Sequence, residues 1–298
     1  GAAMSRRWKS QGWNIAGTYR TPRAIFKEFQ TIGIPLVHCD LTNLASIDEA
    51  CSRLRECVPQ WDVLVMAPGS QEPVGAFADC DFDQWEKSIN VNFARQMRII
   101  HKLLPGRQLQ GGTPSVLLFA GGGTNNATVN YSAYTISKIA SIKMCELLNA
   151  EIPDTRFVIV GPGWVKTKIH EATLAAGEKS AGANYQKTIL KLAGNECTPM
   201  DEVIDCCEWL LNAPRQLVSG RNFSTVFDHW SSPELLNALA EKAQISRSQV
   251  SAVLDAMVEV GYKEVKKEGE FPVPGFGKFV KVHRKERMGR NPATGQSI

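Results

Sequence analysis

The chain has no apolar run long enough to span a bilayer. Its longest runs resemble Ser115-Val116-Leu117-Leu118-Phe119-Ala120, far short of the ~20 residues a membrane helix needs. No basic-then-apolar pattern marks the N-terminus, so neither secretion by that route nor a membrane partner is expected. The eight cysteines form no CxxC and no Cys/His cluster of zinc spacing, which argues against a structural metal and for reduced thiols in a cytoplasmic location. Low-complexity segments and internal repeats are also missing, which excludes disordered and solenoid classes. What remains is an ordinary globular composition: 298 residues, 43% hydrophobic and 21% charged, enough for one large or two smaller packed domains.

Charge is unevenly spread. The net charge is +4 over the whole chain. Six basic residues, Lys278, Lys281, Arg284, Lys285, Arg287 and Arg290, stand against the single acid Glu286 near the end, so the rest of the chain is close to neutral. A basic terminal segment on a neutral body points to two parts with different partners.

From Gly1 to about Trp230, short β-branched runs alternate with longer amphipathic stretches, the pattern of βαβ units and a doubly wound α/β fold around a parallel sheet. Strands are expected at Trp13 to Tyr19, Pro35 to His38, Val63 to Met66, Val116 to Phe119, Phe157 to Val160 and Asn222 to Phe227. Thr21-Pro22 reads as an N-cap and first helical position for a helix ending near Gln30. Further helices are expected over Asp81 to Leu104, Ala133 to Ala150 and Met200 to Leu211. The alternation stops near Ser231, which sets a boundary between a domain over 1–231 and a segment over 232–298. Beyond it come two helical patterns, Pro233 to Ala243 and Ser246 to about Val260, the second opened by the capping box Ser246 and Gln249. A strand pair around Phe271 to His283 and an extended arm follow.

Tyr134 and Lys138 are four residues apart at the start of an amphipathic helix, one turn apart on one face. An ammonium beside a phenol lowers the phenol's pKa and fits it for proton exchange with a carbonyl or alcohol. The pair follows a strand and a glycine-rich turn, and other segments fall in order around it: Asp40-Leu41 after a strand, Met66-Ala67-Pro68-Gly69, Asn92 within Ile89-Asn90-Val91-Asn92-Phe93, and Pro162-Gly163 through Thr167. Together they make residues 1 to about 230 resemble the short-chain dehydrogenase/reductase family.

That resemblance implies a Rossmann-like fold and hydride transfer between a nicotinamide cofactor and a carbonyl or alcohol substrate. Tyr134 is then the general acid/base, Lys138 binds the nicotinamide ribose, and Asn92 holds a proton-relay water. Asp40 and Leu41 flank the adenine, Ala67, Pro68 and Gly69 let the backbone approach the ribose, and Pro162, Gly163, Val165 and Thr167 line the carboxamide and phosphates. Gly1 takes the place of the last glycine of the phosphate loop. At the end of a strand, Tyr19-Arg20 puts a base where a 2'-phosphate would lie, with Arg23 nearby, so NADP(H) is preferred and NAD(H) is less favoured. A homodimer or tetramer through the Tyr134 helix is also implied. The substrate lid is expected between Ile169 and about Gly194.

Two departures count against turnover. The family's carbonyl-orienting serine, about thirteen residues before the tyrosine, is replaced by Ala120-Gly121-Gly122-Gly123-Thr124. One lost oxyanion contact is worth ~3–4 kcal/mol in comparable sites. The family's first strand and GxxxGxG turn have no counterpart ahead of Gly1-Ala2-Ala3-Met4, so the start reads as a truncation.

Residues from about Glu234 resemble the HU/IHF family of bacterial nucleoid proteins, carried by Pro274-Gly275-Phe276-Gly277-Lys278-Phe279 and Gly289-Arg290-Asn291-Pro292-Ala293-Thr294-Gly295. The resemblance implies double-stranded DNA as partner, Arg284, Lys285, Arg287 and Arg290 on phosphates, Asn291 at the arm tip, and Pro292 as a wedge between base steps. It also implies nucleoid association and a returning strand and last helix beyond Ile298. Two further readings stay open: a DNA-binding architectural protein carrying a catalytically impaired dehydrogenase-fold domain, and an artificial junction of the two.

Overall fold

The computed structural model describes residues 1–124, 126–194, 196–228, 241–273 and 277–280. The chain divides into two compact units, Gly1–Trp230 and Ser231–Ile298.

In the first unit, α1 (Ala2–Ser10) leads to β1 (Gly17–Tyr19), α2 (Ile25–Thr31), β2 (Leu36–His38), α3 (Leu44–Cys57) and β3 (Val63–Met66). Next come α4 (Phe82–Ile89), a π-helical turn (Asn90–Ala94), α5 (Arg95–Leu103), β4 (Ser115–Phe119), α6 (Ser132–Glu151) and β5 (Arg156–Gly161). α7 (Glu171–Ala181), α8 (Ala183–Ala193), α9 (Met200–Asn212), α10 (Arg215–Val218) and β6 (Arg221–Ser224) complete the unit. β3, β4, β5 and β6 pair in chain order as an all-parallel sheet.

The central strands read as continuous apolar runs because both their faces are covered. Val116, Leu118, Phe157 and Ile159 pack with Ile47 and Cys51 of α3, Ile100 of α5 and Cys145 of α6. The alternate residues Leu117, Val158 and Val160 pack with Met4 and Trp8 of α1 and Ile204 and Leu210 of α9. Period-two alternation thus feeds two helix layers, the doubly wound Rossmann-like arrangement. Each of these fully buried aliphatic or aromatic side chains contributes roughly 1.5–3 kcal/mol by leaving water. α1 is fastened to α9 by polar contacts as well: Arg7 pairs with Asp205, and Trp8 Nε1 donates to Glu208 at 2.9 Å.

β1 and β2 pair only with each other, Gly17 opposite Leu36 and Tyr19 opposite His38. The parallel sheet is therefore in two pieces among the described residues. Its interruption falls beside β3, where Val63, Leu64 and Val65 are half-buried while the matching residues of β4 are buried.

Several elements differ from expectation. The strand read from Trp13 begins only at Gly17, because Gly12 turns the chain at φ 90° and Trp13 folds back to stack on Trp8, ring centres 5.3 Å apart. α2 starts at Ile25 with Ala24 as N-cap, so Thr21 does not cap it. The single helix expected over Asp81 to Leu104 is broken by the π turn, and the last strand ends at Ser224.

In the second unit, Ser246 and Gln249 form both bonds of the expected capping box at the start of α11 (Arg247–Glu268), which runs eight residues beyond the expected end. β7 (Glu270–Val273) and β8 (Gly277–Val280) pair antiparallel. Gly261 leaves room on α11 for the Phe271 ring, whose Cδ1 would stand 3.1 Å from any Cβ there. The expected helix from Pro233 lies outside the described residues up to 240. Arg284, Lys285, Arg287, Arg290, Asn291 and Pro292 also lie outside them.

Candidate active site

α6 begins at Ser132, which places Tyr134 and Lys138 one turn apart on the helix face that meets the sheet, 7% and 3% exposed. Lys138 Nζ donates to the carbonyl of Phe119, the last residue of β4, at 2.9 Å, and lies 5.6 Å from the centre of the Tyr134 ring. Burial pushes the lysine down to about 8 and the phenol up to about 12. The expected lowering of the phenol by its neighbour is therefore not what this conformation has. The ammonium is turned to a backbone carbonyl, and loss of solvent governs both groups.

Asn92 sits inside the π turn, fully buried. Its Oδ1 accepts from Ser70 N at 2.9 Å, and its Nδ2 donates to Ser70 O at 2.9 Å and to Ser88 Oγ at 3.1 Å. Gln96 Nε2 donates to the carbonyls of Pro68 and Val91 at 3.2 and 3.1 Å. Two amides from one distorted helix thus hold the loop after β3, consistent with the frequent use of π turns at functional sites. Neither Ser70 nor Gln96 carries a motif signature, so the sequence pointed to Asn92 alone.

The three expected elements meet at Gly69. A Cβ there would stand 3.7 Å from Asn92 Oδ1 and 3.9 Å from Lys138 Nζ, and also 3.7 Å from Ile169 Cδ1. Ile169 belongs to the expected lid. Gly121 lies on the other side of Tyr134, so close that a Cβ on it would collide with the phenol oxygen. No serine stands there, as the sequence indicates, and the phenol fills the space one would need.

At the opposite end of the site, Arg20 and Asp40 follow β1 and β2. Asp40 Oδ1 accepts from Thr42 N and Thr42 Oγ1, both at 2.9 Å; these bonds and the charge of exposed Arg20 hold its carboxyl below the usual range. The Tyr19 ring packs against Phe26 and His38, and the Leu41 side chain is buried in the core. After β5, Gly163 takes φ 71°, and a side chain on it would strike Thr198 and Val226. Val165 is committed to the second core, so only its backbone is available to a ligand, and Thr167 precedes a short helical turn, Lys168–His170. Gly1 is the N-cap of α1.

These residues fit a dinucleotide. Arg20, Asp40, Ala67 to Gly69 and Pro162 to Thr167 all follow the carboxyl ends of parallel strands, the edge at which α/β sheets bind such ligands. The α1 terminus adds free amides and a positive dipole end.

Comparison with known proteins agrees with this geometry. A family model described as enoyl-(acyl carrier protein) reductase matches residues 1–225, and one described as bacterial DNA-binding protein matches residues 231–298. The first part is 27% identical over 191 residues to an uncharacterized oxidoreductase of Schizosaccharomyces pombe, covering 60% of this chain and 74% of that protein. The last part is 40% identical over 65 residues to DNA-binding protein HRL53 of Rhizobium leguminosarum, covering 22% of this chain and 71% of that protein. A similar stretch is 38% identical over 66 residues to DNA-binding protein HU-alpha of Pseudomonas aeruginosa, 22% of this chain and 73% of that one. In fold, the chain is similar to a short chain dehydrogenase/reductase from Saccharomyces cerevisiae, with TM-score 0.68, 18% identity, and coverage of 78% of this chain and 93% of that one. It is also similar to an actinorhodin polyketide ketoreductase solved with NADPH, with TM-score 0.62, 21% identity, and coverage of 74% and 89%. With Tyr134, Lys138 and Asn92 gathered at the carboxyl edge of a doubly wound sheet, the chain belongs to the short-chain dehydrogenase/reductase family of oxidoreductases, and it carries behind that domain a segment of the bacterial DNA-binding protein family.

Proposed function

We propose that residues 1–231 catalyse NADP(H)-dependent hydride transfer between a nicotinamide and a carbonyl or alcohol substrate. The observation that carries this reading is the convergence of Asn92 and Lys138 on Gly69, with Tyr134 buried beside them. When bound, the cofactor supplies the hydride to the carbonyl carbon. Tyr134 gives its phenol proton to the carbonyl oxygen, which becomes the alcohol. Lys138, released from the Phe119 carbonyl, balances the phenolate and hydrogen-bonds the ribose. Asn92 fixes the Ser70 loop and holds the relay water that returns a proton. Arg20, which carries no other ion pair among the described residues, meets the 2'-phosphate, while Asp40 and Leu41 flank the adenine. Ala67, Pro68, Gly69, Pro162, Gly163, Val165 and Thr167 approach the cofactor through their backbones, and Gly1 contributes at the phosphates.

The decisive experiment compares Tyr134→Phe with the parent for carbonyl-dependent NADPH oxidation and for NADPH binding. Oxidation should fall by at least ~10²-fold, as befits a lost acid/base group, with binding nearly intact. Equal turnover in the variant would remove Tyr134 from its role.

Oligomerisation through α4 and α6 is part of the proposal, supported by Phe77, Phe82, Ile136 and Ile139, which are 59%, 53%, 48% and 39% exposed on this face. A second reading, a DNA-binding architectural protein with an impaired dehydrogenase domain, is favoured by one observation: the family match over 231–298 coincides with the basic segment. We infer that this segment binds duplex DNA and places the protein at the nucleoid in the cytoplasm. Among the described residues, no helix is long and apolar enough to cross a membrane.

A further inference from the structure

Tyr134, Lys138 and Asn92 are only 7%, 3% and 0% exposed in this conformation. Part of what covers them is the segment after β5. Ile169 Cδ1 shares the space at Gly69 with Asn92 Oδ1 and Lys138 Nζ, on the side where the ribose would bind. The next residue, His170, is buried and stacks on Trp164 with ring centres 4.8 Å apart, its Nε2 3.0 Å from the Val165 carbonyl oxygen.

Besides these His170 contacts, this segment is tied down by a partly buried polar chain. Thr173 Oγ1, on α7, donates to Gln71 Oε1 at 3.0 Å and lies 2.9 Å from Tyr131 Oη. A hydroxyl has a single proton, so Tyr131 must be the donor of the second bond. Gln71 stands two residues after Gly69, and Tyr131 stands three before Tyr134. The chain therefore links α7 to the two parts of the site that are otherwise fixed. Thr173 and Tyr131 are 2% and 4% exposed. On either side the backbone takes conformations suited to glycine: Gly163 at φ 71° before the segment, and Gly177 at φ 71° inside α7, where the helix is broken. A short body between two glycine pivots, held by a few bonds, has the construction of a lid.

We propose that Gln71, Thr173 and Tyr131 form a latch that holds the segment 166–176, which follows the core-bound Val165, shut over the catalytic pair, with Ile169 as the plug that must withdraw before the nicotinamide end of the cofactor can enter. Thr173 is a positioning residue in this arrangement, since it acts through Ile169. The latch is weak by design of its chemistry: when the lid opens, each hydroxyl exchanges its partner for water and little is lost. When the lid is shut without that bond, the buried Tyr131 hydroxyl loses its partner.

The cofactor arm of this proposal rests on the oxidoreductase reading, whereas the latch itself does not. Thr173→Val keeps the side-chain shape and removes both bonds; Thr173→Ser keeps the hydroxyl. In the full chain without cofactor, amide hydrogen exchange over 166–176 should speed up roughly five- to tenfold in Thr173→Val, the effect of one such bond, and stay near the parent rate in Thr173→Ser. The association rate of NADPH, followed by stopped-flow fluorescence, should rise by a similar factor in Thr173→Val alone, because a larger share of molecules is open. Unchanged exchange in Thr173→Val overturns the latch. Faster exchange with an unchanged association rate overturns the plug. If NADPH fails to bind even the parent, the cofactor reading has failed, and the exchange comparison alone decides the latch.

Discussion

The phenol oxygen of Tyr134 occupies the space into which any side chain on Gly121 would have to grow. Gly121 does not have a positive φ, so its backbone would accept another residue; only the ring stands in the way. Restoring the serine that the family places in this stretch is therefore expected to harm the protein. Gly121→Ser should cost about 1–3 kcal/mol through overpacking, read as a lower urea midpoint. In a Tyr134→Ala background the same change should cost much less, because the collision is gone, and the difference between the two is their coupling.

Lys138 gives the protein a distinctive alkaline behaviour. Its folded pKa, about 8, lies below the ordinary 10.5, so between these values the unfolded chain holds more protons than the folded one. The Lys138 contribution should therefore make stability rise with pH from about 8 to 9, above which the buried thiols of Cys39, Cys145, Cys206 and Cys207, raised from 9.0 to about 11 or 12, and then the phenol of Tyr134, raised to about 12, oppose it. Urea midpoints across that window should slope upward in the parent and be flatter in Lys138→Met.

Cofactor preference should follow Arg20. A charged contact to a 2'-phosphate is worth about 1.5–3 kcal/mol, so Arg20→Ala should weaken NADPH binding roughly 10- to 100-fold and leave NADH within about twofold. A titration of both cofactors against both proteins checks this, and an equal loss for the two would point to folding instead.

For the basic segment, retention on duplex DNA should fall steeply as salt rises. Removal of one phosphate contact in Arg290→Ala should reduce the slope of log affinity against log salt by about one. A fluorescence anisotropy series in NaCl provides the measurement, and salt-independent binding would refute the assignment.

Much of this was legible in the sequence, for reasons particular to each part. Val116 to Phe119 and Phe157 to Val160 were readable because strands buried on both faces must be apolar throughout. Ser246 and Gln249 were readable because a capping box is local. The π turn at Asn90–Ala94 was not, since the amphipathic period passes through it unbroken and the extra residue shows only in backbone bonding. Trp13 looked like a strand residue by type, yet its stacking on Trp8 decided its place. The partners of Tyr134 and Lys138 were hidden for a similar reason. Spacing put both on one helix face, but only packing reveals that the amine bonds the Phe119 carbonyl and that Ile169 reaches the same space at Gly69 as Lys138 and Asn92.

The division of the sheet affects how inactivation is interpreted. β1 and β2 share no ladder bond with β3, and hold to the rest of the unit through packing such as Val37 against the common core and through the Arg6–Glu28 pair. On warming, this corner can melt as a cooperative patch while β3 to β6 stay paired. Such a molecule would lose its grip on the adenosine half of a dinucleotide with Tyr134, Lys138 and Asn92 still in register. Heat-treated protein that no longer binds cofactor should then recover fully on cooling, and its loss of activity would measure a frayed corner of the sheet, with no damage at the reacting centre.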